Sequence, residues 1–579
     1  MQNIAAWSGA LVIGTVVAVS PGGLSPYGPA RWMVVSTISL VLVGLALRYG
    51  TVALHTASRR AWWALLAWLA VATFLGGDVP TALLGQGDRH LGLITWLLLF
   101  GTFAAGQQVV GGDIRLLTRC TVVATACMGA WAAIEVVAGD GGRLGGPFGS
   151  AAYLGAAACL LTPVSVGVAW ADTEVPPWRW AAGLASVGGV LALVGSGARA
   201  AWVGAAAAAV VVVLVRRRPH PSTLRWAVLV GAVMLVVALP WAGSLLDRPH
   251  GQTSRLDEWR IAARVVARHP LVGVGPEGYR IAVSEGIDAH YERTYGRDRV
   301  LPDRAHSGPL DVALVGGIPA AVLYVGLVGF VVLRAWRAMR ESAVVAGVAM
   351  AVIGYAVQQL LLFPLAELDP VWWLFAGLVV TQTSPLRRAR PVPARRAVGV
   401  AVMGLAAVAL VAGIADTAAD RLALHALDAR ADGRTDDAVA AAERAVRLRP
   451  DLVRYRIVAS SVLAARGSLA DIDEALGEVD AALAWSPLDP MAVDERGSLL
   501  IARAGITGDA ADAAAAVEYG TVLVGRDPLR ARWQVQLGRA AAIAGDTETA
   551  RAAWTTAADL SPDDAAVRQL LADLEATDG

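Results

Sequence analysis

Apolar residues in this chain come in long unbroken runs rather than in stripes. Up to about Gln382 the sequence is a train of such runs, separated by short stretches rich in Gly, Pro and Arg. A helix needs about 20 mostly apolar residues to cross a hydrocarbon core ~30 Å thick, and the pattern therefore predicts a polytopic helical bundle. Spans are expected near 4–20, 32–47, 61–77, 91–106, 118–138, 151–171, 180–195, 200–215, 226–244, 309–333, 343–363, 369–382 and 397–415, giving about 12–13 in all. After about Ala415 the runs stop and charge becomes frequent. The expected division is a membrane part, 1–415, with a long loop at about 245–308, and a water-soluble part, 416–579.

Loop charge orders the spans. One set of alternate loops holds Arg48, Arg59, Arg60, Arg115, Arg179, Arg216, Arg217, Arg218, Arg225, Arg334, Arg337, Arg340, Arg387, Arg388, Arg390, Arg395 and Arg396. The opposite short loops hold one arginine each (Arg31, Arg89, Arg143, Arg199) or none. Cytoplasmic loops are the arginine-rich ones, so the N-terminus is expected inside, and the 245–308 loop outside. After a thirteenth span the soluble part is outside too. The N-terminal run has no charged leader and no small-residue cleavage site, and it reads as a first span rather than a signal peptide.

Composition agrees. The chain is 56% hydrophobic with a mean hydropathy of +0.54, more than a soluble chain of this length carries. Its 49 basic residues are all arginine, and the net charge of +1 gives no reason to expect nucleic acid. Cys120, Cys127 and Cys159 fall in apolar runs, which suggests neither a disulfide framework nor a thiolate metal site.

In the soluble part, Pro450, Pro487, Pro528 and Pro562 each close an alanine-rich helical stretch. Their spacings of about 34 to 41 residues, near a period of 34, suggest tetratricopeptide repeats. Leu537, Gly538, Gly545, Ala550, Trp554, Ala557 and Pro562 resemble that family's pattern, and Gly433, Ala438, Ala445 and Pro450 match it more thinly. The resemblance implies an α-solenoid that docks a protein partner; a plain alanine-rich bundle is the alternative.

Three stretches of the membrane part carry candidate chemistry. GSGAR sets Arg199 at a break between apolar runs, where an arginine can also simply snorkel to headgroups. SRLDEWRIAARVVARHPLVGVGPEGY, from Ser254, predicts a helix with an apolar stripe of Leu256, Trp259, Ala263 and Val266, lying on the membrane surface. Its arginines Arg255, Arg260, Arg264 and Arg268 face elsewhere, and Gly273, Gly275 and Gly278 end it in a turn. AHSGPLDVALVGGIPA brings His306 to the mouth of a span, although a lone histidine is more often only a surface residue.

Taken together and in this order, these stretches resemble the O-antigen ligase and polymerase superfamily of membrane glycosyltransferases. GQGDRHLGLITW with Arg89, GGPFGSAAYLG, and Gln358 through Leu378 add to the resemblance, which covers roughly 60–380. The chain departs from the family at Ala198, where serine is usual, and at Ser307, where asparagine is usual. An acidic residue expected near Val315 is also missing, with Asp311 close by.

The resemblance implies a multi-pass, GT-C-like enzyme of the plasma membrane with its active site and repeat domain on the extracytoplasmic side. It would move a glycan from a polyprenyl diphosphate carrier to a glycan, lipid or protein acceptor. It implies catalytic roles for His306, Arg199 and Arg255 and substrate-binding roles for Arg89, Arg260 and Gln358, with no cofactor. The first outer loop, SPGGLSPYGPAR, contains no acid that could hold a metal, whereas arginine forks pair with phosphate oxygens at any relevant pH. His306 is the nearby group able to take a proton near neutrality. A transporter or a membrane-anchored scaffold are the alternatives. The first would call for buried ionisable groups at mid-membrane, and these spans carry few.

Overall fold

The computed structural model describes residues 2–87, 89–139, 142–215, 254–297, 302–389 and 392–578. Among these the chain is all-helical, with no strand; one backbone bridge joins Val52 to Arg388. The first half holds α1 (Gln2–Val17), α2 (Pro29–Tyr49), α3 (Thr56–Leu75), α4 (Val79–Leu84), α5 (Leu93–Gly106), α6 (Asp113–Ala138), α7 (Ala151–Ala169), α8 (Pro176–Gly195) and α9 (Arg199–Val215). The long loop contains α10 (Arg255–Arg268), α11 (Tyr279–Ala282) and α12 (Ala289–Tyr295), followed by α13 (Gly308–Ala338), α14 (Ala343–Gln358), α15 (Asp369–Gln382) and α16 (Pro393–Ala431).

Every expected apolar run coincides with one of these helices except 226–244. That run lies outside the described residues, with Arg216, Arg217, Arg218, Arg225, Arg390 and the start of the long loop. Six helices (α2, α6, α7, α8, α13 and α16) are long and apolar enough to cross a membrane by length and composition. Shorter apolar helices pack among them around Trp62, Phe103, Trp372 and Trp373, whose rings meet edge to face.

The loops sort to two ends. At one end Ser25 N–H donates to Asp420 at 2.9 Å, Arg143 Nε to the Ser196 carbonyl at 2.9 Å, and Leu91 N–H to Glu277 at 2.9 Å. At the other, His55 N–H donates to Gln107 at 2.8 Å, Arg334 to the Thr383 carbonyl at 2.7 Å, and Arg395 to the Ala46 carbonyl at 2.8 Å. Among the described residues, these arginine-poor loops thus share one end and these arginine-rich loops the other, as alternate crossing requires.

Helix α13 is broken. Gly316 and Gly317 leave helical geometry, Gly317 at φ 70°, and the carbonyls this frees are met from outside the helix. Val274 N–H donates to Leu314 O at 2.8 Å, Gly275 N–H to Val315 O at 3.0 Å and Trp68 Nε1 to Gly316 O at 2.7 Å, while Ile318 N–H reaches Pro270 O at 2.8 Å. The HPLVGVG loop is therefore fitted into the break. Gly273 lies so close to the α13 backbone at φ 68° that a side chain there would strike it.

Helix α16 does not stop where its apolar run ends near 415 but continues to Ala431, where Gly433 at φ 75° follows. It leads into α17 (Thr435–Leu448), α18 (Val453–Ala464), α19 (Leu469–Trp485), α20 (Pro490–Thr507), α21 (Ala510–Arg526), α22 (Ala531–Ile543), α23 (Thr547–Leu560) and α24 (Ala565–Asp578). Each packs on its neighbour in sequence, beginning with an alanine seam between α16 (Ala419, Ala423, Ala426) and α17 (Ala438, Ala441, Ala445). Pro450, Pro487, Pro528 and Pro562 each stand in a connection between two helices. This C-terminal region sits on the long loop. Arg280 is paired with Asp78 and Asp489, and Arg297 with Glu292 and Asp527, all with side chains at most 7% exposed. The C-terminal helices and the long loop therefore occupy the same end.

Candidate active site

Ser254 caps α10 by accepting from Leu256 N–H at 3.3 Å. The helix then buries Glu258, Ile261, Ala262 and Val265 against Tyr279, Val283, Tyr291, Ala305 and Leu314. Of the expected stripe, Leu256 and Ala263 are left exposed, while Trp259 and Val266 are half-buried and Val266 packs against this same cluster. Asp311, in the first turn of α13, accepts from Ala305 N–H at 2.7 Å and Ser307 N–H at 3.1 Å. Those two bonds straddle His306 and hold it at φ 53°.

Arg255 and His306, 51 positions apart, meet here: Arg255 Nη1 donates to the His306 carbonyl at 3.2 Å. The imidazole lies against the Phe363 ring at 5.2 Å, and its Nε2 stands 3.9 Å from the carboxylate of buried Glu258. Arg89 approaches the same Phe363 ring at 5.3 Å, pairs with Asp303 at 2.8 Å and donates to the Tyr153 hydroxyl at 3.1 Å. Burial opposes ionisation of Asp303, but Arg89, Arg304 and His306 outweigh it and hold the carboxyl below its ordinary range.

Behind this pair, fully buried Arg304 meets Glu277 at 2.6 Å, and Glu277 also accepts from Leu91 N–H at 2.9 Å. Glu277 thus ties together the loops that carry Arg89 and His306. Among the described residues, the non-glycine residues at positive φ are His90 (55°), Glu277 (60°) and His306 (53°), all in or beside this cluster. Such backbone costs of order 1–3 kcal/mol per residue and collects at functional sites.

The other expected residues stand differently. Arg199 opens α9 after a turn in which Gly197 takes φ 58° and Arg143 clasps the Ser196 and Gly197 carbonyls. The neighbouring Ala198 abuts Gly155 of α7, two residues beyond Tyr153. Gln358 closes α14 where Gly204 of α9 crosses it; its side chain is buried and its amide makes no hydrogen bond among the described residues. Arg260 is exposed and paired with Asp257 at 2.7 Å, turned away from the cluster. The structure therefore joins Arg255, His306 and Arg89 and sets Arg199 and Gln358 on adjoining helices.

Glu258, Glu277, Asp303, Arg304 and Tyr153 belong to the cluster and were not singled out from the sequence. Only the nearness of Asp303 and Glu258 to His306 and Arg255 along the chain could have pointed to them. Chemically, the cluster offers a histidine with a carboxylate beside it and several guanidiniums at the mouth of a span.

A search of curated proteins returns no match to this chain. Residues 184–325, from α8 through the broken part of α13, match the family model described as O-Antigen ligase, so that this part of the chain is similar to an O-antigen ligase domain, within a chain that holds six helices long and apolar enough to cross a membrane.

Proposed function

We propose that the protein transfers a glycan from a polyprenyl diphosphate carrier to an acceptor hydroxyl on the outer face of the plasma membrane, without a metal. The observation that carries this reading is the meeting of Arg255 with His306 beside Glu258. In the reaction the acceptor oxygen attacks the anomeric carbon and the bond to the diphosphate oxygen breaks, with the electron pair leaving on the diphosphate. His306 takes the hydroxyl proton, and Glu258 stabilises the imidazolium that forms. Arg255 and Arg199 offset the charge developing on the diphosphate, and Arg89 and Gln358 orient the donor. Direct displacement inverts the anomeric centre. Arg260, on the outer face of α10, meets the outgoing glycan rather than the reacting atoms.

We read the paired C-terminal helices as a tetratricopeptide-like solenoid on the extracytoplasmic side, positioned to bring a protein acceptor or assembly partner to the site. That favours ligation or protein glycosylation over polymerisation. The testing experiment uses purified protein in nanodiscs with a polyprenyl diphosphate-linked oligosaccharide. His306→Ala should abolish transfer while donor binding persists. Near-full transfer by a properly inserted His306→Ala variant would overturn the assignment.

A further inference from the structure

On the same end of the molecule, beside the loop that carries Arg89, a crevice of about 350 Å3 lies between α2, α5 and α16 and the C-terminal helices. Its lower walls are apolar, formed by Met33, Leu40, Ile94, Leu98, Ala409 and Gly413. They run from Trp32 to Leu40, about 12 Å along α2 at 1.5 Å per residue. Its upper walls are charged. Arg449 pairs with Asp451 at 2.7 Å and Asp416 at 3.6 Å, Arg454 pairs with Asp416 at 2.7 Å, and Arg280 pairs with Asp489. Trp32 stacks on His90 at 4.7 Å at the neck between the two zones.

A ligand of this crevice needs a long apolar portion at membrane depth and a polar head above it. The head must suit a roof in which Arg280, Arg449 and Arg454 stand among Asp416, Asp451 and Asp489, with Asp78 and Asp420 behind them. A net anion would bring negative charge against carboxylates already holding the arginines, and such like-charge contacts select against it. A head with both signs fits: its phosphate accepts from the arginines and its ammonium donates to the aspartates, each bond charge-assisted.

We propose that this crevice binds one zwitterionic aminophospholipid, with an acyl chain along α2 and α16 and its head beneath the 449–454 turn. The lipid would fasten the C-terminal helices to the bilayer. None of the residues given a role in the reaction lines this crevice, and the proposal does not depend on the reaction assigned there.

The test is native mass spectrometry of the full-length protein titrated with phosphatidylethanolamine or phosphatidylglycerol. One phosphatidylethanolamine should be retained at least tenfold more tightly than phosphatidylglycerol. Ala409→Trp, which fills the slot, should lose that lipid. Asp451→Asn, which removes an acceptor for the ammonium and a repulsive charge beside an anionic head while leaving the slot unfilled, should shift preference towards phosphatidylglycerol. Equal or tighter retention of phosphatidylglycerol by the unaltered protein would overturn the proposal. So would unchanged retention in both variants, or displacement of the bound lipid by a polyprenyl diphosphate, which would make the crevice a donor groove.

Discussion

Changing Asp489 to Asn removes one charge from the seam between the long loop and the C-terminal helices while changing little else. Asp489 also caps α20, accepting from Met491 N–H at 3.0 Å and Ala492 N–H at 3.2 Å; asparagine caps about as well, so the helix end should survive. The charge faces Arg280, whose side chain is 5% exposed. Removing one partner of a buried pair costs about 3–5 kcal/mol, because the other charge stays buried. Asp78 remains 3.4 Å from the same guanidinium, which puts the expected loss at the low end, about 3 kcal/mol. Unfolding in mixed micelles would measure it, with hydrogen exchange over residues 279–297 to show where protection is lost. Arg280→Met should be comparably harmful alone. The double variant should recover much of the loss, since an apolar replacement leaves no orphaned charge. A loss below about 0.5 kcal/mol for Asp489→Asn, in the range of an exposed pair, would refute the view that this seam holds the C-terminal helices in place. Simple addition of the two single losses in the double variant would refute it equally.

Three further outcomes are expected. Arg255→Lys keeps the charge but loses the planar fork, so transfer should fall at least tenfold with insertion unchanged, as single-turnover assays would show. Chelation with EDTA should leave transfer intact; activity lost on chelation and restored by magnesium would contradict the arginine assignment. Because the Asp303 carboxyl is held below its ordinary range, its pairing with Arg89 is in full force above that range and is lost only as pH falls through the lowered value. Donor binding measured from pH 9 down to pH 5 should therefore show no decline that Asp303→Asn abolishes.

The membrane helices were legible because an apolar run has one physical meaning at this length. Their far ends were less so. Helix α16 outlasts its apolar run by about four turns because no glycine or proline stands between Gly413 and Gly433; a change of solvent is not a change of backbone. The meeting of Arg255 and His306 was legible only through the order of motifs, since nothing in composition folds a loop of this length back on itself. The carboxylates Glu258, Glu277 and Asp303 stayed hidden for another reason. In a loop dense with charge, a buried acid and a surface acid look alike until packing separates them. Helix α10 shows the same limit: it carries two apolar faces, and the pattern alone gave no ground for choosing Ile261, Ala262 and Val265 as the buried one.

The break in α13 also constrains how the protein is made. About 24 Å of helix separates Ile318 from Arg334 at 1.5 Å per residue, short of a ~30 Å hydrocarbon core, which leaves Gly316 and Gly317 just inside the apolar layer. In lipid each unmet backbone group costs several kcal/mol, and the groups that meet these come from Val274, Gly275, Pro270 and Trp68. The segment carrying HPLVGVG is synthesised before α13 and has to reach its side of the membrane first. Span α13 can then settle only as that loop closes onto it. Damage to Gly273 or Gly275 should therefore surface during biogenesis, as chains that stall at insertion and are degraded, before any effect on turnover can be measured.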